Sequence, residues 1–147
     1  MGAGKFLTRL AAGFWQNVAG PAPRQPAMSI VLVAEPDPAL RRLLTRWLAD
    51  LGHTAVVAAG GTGLAAAARA AGADALLTEV GGGPGTGLAA AEAVRAASEV
   101  GIVLASGGWT EARLARARAI RAAVLQKPFS RAELVVALAR ATPPPSL

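Results

Sequence analysis

Between Ser29 and Ala141 the chain repeats one pattern five times: a short, continuous, apolar run, followed by a stretch with apolar residues at helical spacing. The runs are SIVLVAE, TAVVAA, DALLTE, GIVLAS and AAVLQ. A strand with one wet face alternates apolar with polar, whereas an unbroken apolar run belongs to a strand covered on both faces. Five such strand-helix units predict a doubly wound, five-stranded parallel sheet with helices on both sides. The helices are bounded by local signals. Pro38 opens the first behind Asp37 as cap, Leu40, Leu43, Leu44, Trp47, Leu48 and Leu51 form its inward stripe, and Gly52 ends it. The second, in GTGLAAAARAAGA, is capped by Thr62. The third runs from Gly87 to Ser98 and the fourth from Thr110 to Arg121. Ser130 caps the fifth, with Leu134, Val135 and Leu138 turned inward.

This repeat sets the domain at 29–141. Ahead of it, residues 1–20 contain GKFLTRLAAGFWQNVAG, where Phe6, Leu7, Leu10, Ala11, Phe14, Trp15 and Val18 recur at helical spacing with Lys5 and Arg9 off the stripe. The pattern predicts an N-terminal amphipathic helix. Residues 21–28 read as a Pro-rich linker and 142–147, TPPPSL, as a disordered tail. Phe6, Leu10 and Phe14 are candidate partner-binding residues, because such a stripe can lie in a groove of another protein. The same stripe could fold onto its own domain or pair a homodimer. Membrane association is disfavoured, since two basic residues add little affinity for a lipid surface.

Composition removes several classes of chemistry. There is no cysteine, so disulfides, thiolate metal sites and a thiol nucleophile are excluded, and the single histidine, His53, gives no basis for a histidine metal site. His53 is expected as an exposed turn residue, and Asp74 as a turn former ahead of the third strand. No apolar run approaches the ~20 residues of a spanning helix and no signal-peptide core is present, so a cytoplasmic protein is expected. The net charge of +6 raises nucleic acid as a partner, but Lys5, Arg9 and Arg24 supply half the excess from an arm without acids. GTG at 61–63 and GGGPG at 81–85 lack the residues of a nucleotide-binding loop.

In doubly wound sheets, ligands bind outside the carboxyl ends of the strands, where the strand order reverses. Those ends are Glu35, Ala59, Glu79, Ser106 and Lys127. Two carboxylates, a hydroxyl and an ammonium therefore converge.

These positions, in this order, resemble the receiver domain of bacterial response regulators over about Ser29 to Ala141. IVLVAEPDPALRRLL is similar to that family's first strand, acidic turn and first helix, and QKPFSRAEL to its Lys-Pro motif opening the last helix. The resemblance implies a flavodoxin-like (βα)5 topology and a place in two-component or phosphorelay signalling. In the family, an Asp ending the third strand accepts a phosphoryl group from a histidine kinase. An acidic pair after the first strand holds Mg²⁺, and a Ser or Thr and a Lys contact the phosphoryl. By resemblance, Ser106 and Lys127 fall on the phosphoryl-contacting positions and Glu79 on the phosphoacceptor position, where the family has Asp. Glu35 matches one metal acid, with Glu79 as its companion ligand. Pro36 stands where the second acid is usual, and Asp37, one position on, reads as a helix cap. The aromatic switch residue of the family is Val124 here.

Glutamate carries the right charge on one methylene too many, which brings its carboxylate within reach of Lys127. An internal ion pair in place of a transferred phosphate is expected. The sequence therefore predicts a degenerate receiver: no cofactor required, Mg²⁺ binding weakened, no enzymatic activity, and signalling through contacts with a histidine kinase, phosphotransferase or downstream effector. A phosphorylation-competent single-domain receiver is the first alternative, and a basic nucleic-acid-binding protein the second. The latter would use Arg113, Arg116, Arg118 and Arg121 on the fourth helix, but the aromatic residues that interleave single-strand binding surfaces are missing. Arg113 and Arg116 are equally candidates for an acidic protein partner. Trp109, after SGG in the fourth strand-helix loop, is either a partner anchor or a residue lying against its own domain.

Overall fold

The computed structural model describes residues 29–58, 63–81 and 87–141. The amphipathic segment with Phe6, Leu10 and Phe14, the linker, the 142–147 tail, Ala59, Thr62 and the glycine loop 82–86 lie outside these residues.

The expected alternation is present in full. β1 (Ile30–Ala34), α1 (Pro38–Asp50), β2 (Thr54–Val57), α2 (Leu64–Ala71), β3 (Ala75–Glu79), α3 (Gly87–Ala97), β4 (Gly101–Ser106), α4 (Glu111–Ala119), β5 (Ala123–Gln126) and α5 (Arg131–Ala141) follow one another. The sheet is wholly parallel, in the order β2-β1-β3-β4-β5. Strand order reverses between β1 and β3, which sets the crevice at their carboxyl ends.

Successive side chains of a strand point to opposite faces, and the two halves of the core follow from that. Leu32, Leu76, Ile102 and Leu104 face a layer with Leu64, Leu88, Val94 and Ala117 from α2, α3 and α4. Val31, Val33, Leu77 and Val103 face the opposite layer, with Leu44, Leu48, Leu134 and Leu138 from α1 and α5. Both faces are dry, so the strands need no polar alternation. At the first edge, by contrast, Val57 of β2 is exposed.

Local chemistry fixes the helix starts. Asp37 accepts from the Ala39 amide at 3.0 Å ahead of Pro38, and Thr110 accepts from the Arg113 amide at 3.2 Å. Ser130 and Glu133 form a reciprocal box: the Glu133 amide donates to Ser130 Oγ at 3.1 Å and the Ser130 amide to Glu133 Oε1 at 3.2 Å.

Several details differ from the sequence expectation. Leu43 is 40% exposed, because the face of α1 turned to the sheet is already filled by Leu44 and Leu48. The residue capping α2 is Gly63, in left-handed backbone. α3 ends at Ala97, and α4 lies between Thr110 as cap and Ala119. Trp47 is half-buried and meets Phe129 edge-on, ring centroids 6.4 Å apart. His53 is half-buried rather than exposed: the turn folds its amide back to the Leu48 carbonyl at 2.9 Å, and burial lowers its pKa. Asp74 does more than shape a turn. Its Oδ2 accepts from the Ile30 amide at 2.8 Å, tying the start of β1 to the entrance of β3.

Candidate functional site

Because β1, β3, β4 and β5 lie side by side, their carboxyl ends bring Glu35, Glu79, Ser106 and Lys127 into one crevice. The register aligns Ala34 with Thr78, Glu79 with Ala105, and Ser106 with Gln126. Glu35 thus emerges beside Glu79, and Lys127 beside Ser106, whose carbonyl accepts from the Lys127 amide at 2.8 Å. The Lys127–Pro128 peptide is cis.

Lys127 organises the site. Its Nζ donates to Glu35 Oε1 at 2.9 Å and Oε2 at 3.1 Å, and lies 3.4 Å from Glu79 Oε1. The expected pairing of Glu79 with Lys127 is therefore present, but the closer partner is Glu35. Glu35 is 5% exposed, while the side chains of Glu79 and Lys127 are each 22% exposed. A carboxylate as enclosed as Glu35 is costly without a cation, so the bidentate grip of Lys127 neutralises it where water cannot. Glu35 also receives the Asp37 amide at 3.4 Å, and its carbonyl accepts from Arg41 Nη1 at 3.2 Å.

The remaining members are held by their own loops. Ser106 is fully buried, and its Oγ accepts from the Gly108 amide at 3.1 Å. Behind Glu79, the first turn of α3 presses onto the strand so closely that a Cβ at Gly87 would sit 1.9 Å from the Glu79 carbonyl oxygen. Only glycine permits that approach, so Gly87 sets where the end of β3 lies relative to α3.

The donor set can be compared with what Mg²⁺ demands, a compact octahedron of oxygens at short distance. Glu35 and Glu79 both turn to the same ammonium. Asp37 spends one carboxylate oxygen on the cap of α1, and Pro36 offers no side-chain donor. No group of three or more acidic or histidine side chains with metal-holding geometry occurs among the described residues. As arranged, these residues do not fit the ion.

Three of the four arginines on and just beyond α4, Arg113, Arg116 and Arg121, are engaged within the domain, while Arg118 is exposed. Arg116 grips Glu92 of α3 through Nε at 3.1 Å and through Nη2, which holds the Glu92 carboxyl below its usual range. Arg121 Nη2 donates to Glu99 at 2.8 Å, and Arg113 Nη1 to the Gly108 carbonyl at 2.8 Å. Trp109 lies against its own domain: it is half-buried beside the apolar layer of α2 to α4, and its Nε1 donates to the Leu125 carbonyl at 2.9 Å. Sequence reasoning missed the roles of Glu92 and Glu99. Glu92 lies on α3 and Glu99 two residues past its end, facing Arg116 of α4 and Arg121 two residues past that helix, so the pairs become readable only once α3 is known to pack against α4.

No family model matches the sequence, and no curated protein does. Solved structures do match. The chemotaxis protein CheY4 of Vibrio cholerae superposes with a TM-score of 0.70 at 27% identity, over 78% of this chain and 99% of that one. The signal receiver domain of a modulated diguanylate cyclase from Desulfovibrio desulfuricans G20 gives a TM-score of 0.70 at 20% identity, covering 78% and 94%. A CheY-like receiver domain protein from Methanospirillum hungatei JF-1 gives 0.68 at 18%, covering 75% and 90%. The chain has the five-stranded, flavodoxin-like fold of CheY-like response-regulator receiver domains.

Proposed function

We propose that this receiver-fold chain is a signal-transduction protein of the response-regulator type whose phosphoryl site is closed by its own ion pairs, and that it works through protein contacts rather than by accepting phosphate. The observation that carries this reading is the position of Lys127, whose ammonium is shared between Glu35 and Glu79. Phosphoryl transfer relies on positioning and on cations that neutralise the charge-dense group. Here the one ammonium of the site is already neutralised by two carboxylates.

Glu79 adds a second obstacle. A glutamate oxygen is displaced from an aspartate oxygen by a methylene, and misplacement by ~1 Å can cost on the order of 10²-fold in rate. Its carboxylate stands where a transferred group would meet Lys127, so the chain holds permanently a charge arrangement that a receiver otherwise acquires and loses. The expected partners are signalling proteins: a kinase, a phosphotransferase or a downstream effector. Among the described residues, no helix is long and apolar enough to cross a membrane. A nucleic-acid role is disfavoured because Arg116 and Arg121 are occupied by Glu92 and Glu99.

Ser106 and Lys127 stand at phosphoryl-contacting positions, which favours the competent receiver as the second reading. Amide NMR of the full chain, titrated with Mg²⁺ and beryllofluoride, separates the two. The proposed reading expects no concerted shift at Glu35, Ser106 or Lys127. Saturable, coordinated shifts of those residues and of α4 would establish a pocket that still receives a phosphoryl group.

A further inference from the structure

We infer that the groove between α2 and α3 is the seat of the chain's own amphipathic segment, residues 5–18. The groove has a volume of about 270 Å³ and is lined by Ala65, Ala68 and Gly72 on one wall and by Val94, Ala97 and Val100 on the other. Its walls present methyls and backbone, with Ser98 as a polar side chain and Arg69 as the one charged side chain. Large side chains are what such a hollow lacks, and the sequence keeps half of its aromatic ones ahead of the domain. Of its six Phe and Trp residues, Phe6, Phe14 and Trp15 all lie ahead of the domain.

The point of entry favours this seat. The Ile30 amide donates to Asp74 Oδ2 and the Asp74 amide to the Ile30 carbonyl, each at 2.8 Å, and the Gly101 amide donates to the Asp74 carbonyl at 3.0 Å. Ala73 and Val100, the immediate neighbours of Asp74 and Gly101, line the groove. The chain therefore enters the sheet at the groove's own end. Residues 19–28 can span up to roughly 33 Å when extended, enough to turn back along it.

Dimensions agree. Ala65, Ala68 and Gly72 form a helical row roughly 10 Å long, and on a helix the i, i+4, i+8 spacing of Phe6, Leu10 and Phe14 would give one of roughly 12 Å. A second open groove runs along β5 and α5, between Arg121, Glu133 and Arg140. It lies beside β5, three strands away from the entry of β1. With the segment seated between α2 and α3, its stripe is spent within the molecule.

The absence of cysteine allows a unique nitroxide label on the full chain. With the label at Ala97→Cys, amide resonances of residues 5–18 should lose most of their intensity relative to the reduced, diamagnetic sample. The same label at Val136→Cys, on the other side of the sheet, should leave them intact. Adding Leu10→Glu and Phe14→Glu to the Ala97→Cys chain should restore the intensity, with the domain resonances unmoved. Full intensity in the Ala97→Cys sample, or equal loss from both labels, would overturn the assignment. So would loss that arises only when an isotope-labelled chain without nitroxide is mixed with a spin-labelled one, because the occupant would then be a second copy.

Discussion

Lys127 donates to both carboxylate oxygens of Glu35, a side chain that the first strand delivers almost wholly out of water. Two strands, β3 and β4, separate their parent strands in the sheet, so the bond closes the crevice from one side to the other. Removing one partner of a buried pair leaves an uncompensated charge, at a cost of about 3–5 kcal/mol. Since Lys127 retains some exposure, Lys127→Met should cost about 3 kcal/mol in urea denaturation, toward the lower end of that range. Glu79→Gln, which removes the longer and more exposed contact, should cost about 1 kcal/mol or less. Combining Glu35→Gln with Lys127→Met should recover much of the loss, as coupled residues do. Equal costs for Lys127→Met and Glu79→Gln would instead make Glu79 the principal partner.

Gly87 makes a sharper structural prediction. A methyl there meets the Glu79 carbonyl oxygen at 1.9 Å, and its other near neighbours are backbone atoms of Glu79 and Val80 that cannot swing aside. Overpacking of this kind costs typically 1–3 kcal/mol and occasionally more, so Gly87→Ala should lose about 3 kcal/mol or displace α3. Gly107→Ala, at a position where a Cβ meets nothing within 4 Å, should stay within about 0.5 kcal/mol. Thermal unfolding of the two variants reads the difference directly.

The fold was legible because each strand announces itself twice, by an unbroken apolar run and by the turn residues that bound it. The array of site residues followed from topology, since whatever ends a parallel strand must reach the same crevice. What could not be read is pairing within the array. Glu35 and Glu79 are chemically alike, and only the positions of β1 and β3 decide which faces Lys127 more closely. Trp109 was undecidable for a related reason: its partner is a backbone carbonyl, Leu125, which leaves no mark on the sequence. Leu43 shows the limit of periodicity, which gives a stripe's direction but not how much of it the sheet covers. The partners of the α4 arginines were readable in principle, but only with the packing of α3 against α4 in hand.

His53 gives the domain a pH dependence of defined sign. Burial lowers its pKa below 6.5, and its Nδ1 is enclosed without a hydrogen-bond partner. The unfolded state therefore takes up its proton first as pH falls. Stability should be full above the unfolded pKa and should decline as pH drops from there through the lower folded pKa, levelling off beneath it. The imidazole midpoint, followed by NMR, should lie below 6.5 in the folded chain. His53→Phe should flatten this part of the stability profile, with the wild type losing stability relative to the variant on acidification. A parallel pair of profiles would show that His53 titrates alike in both states.

Trp109 fixes the loop that follows Ser106. Its indole donates to Leu125, while Gln126 Nε2 donates to the Gly107 carbonyl at 3.0 Å and Arg113 grips the Gly108 carbonyl. The loop is thus tied to β5 on one side and to α4 on the other. Trp109→Phe keeps most of the ring and deletes one hydrogen bond, which should cost about 1 kcal/mol. Trp109→Ala also removes the half-buried ring, and should cost about 2–3 kcal/mol. Amide exchange at residues 107–110 should accelerate in both variants, more in the second. If Trp109→Phe exchanges like the wild type, ring packing alone holds the loop, and the bond to Leu125 only orients the indole. If it exchanges like Trp109→Ala, the bond is what keeps this end of the crevice in a single arrangement, and the loop is set by β5 rather than by any ligand at Ser106.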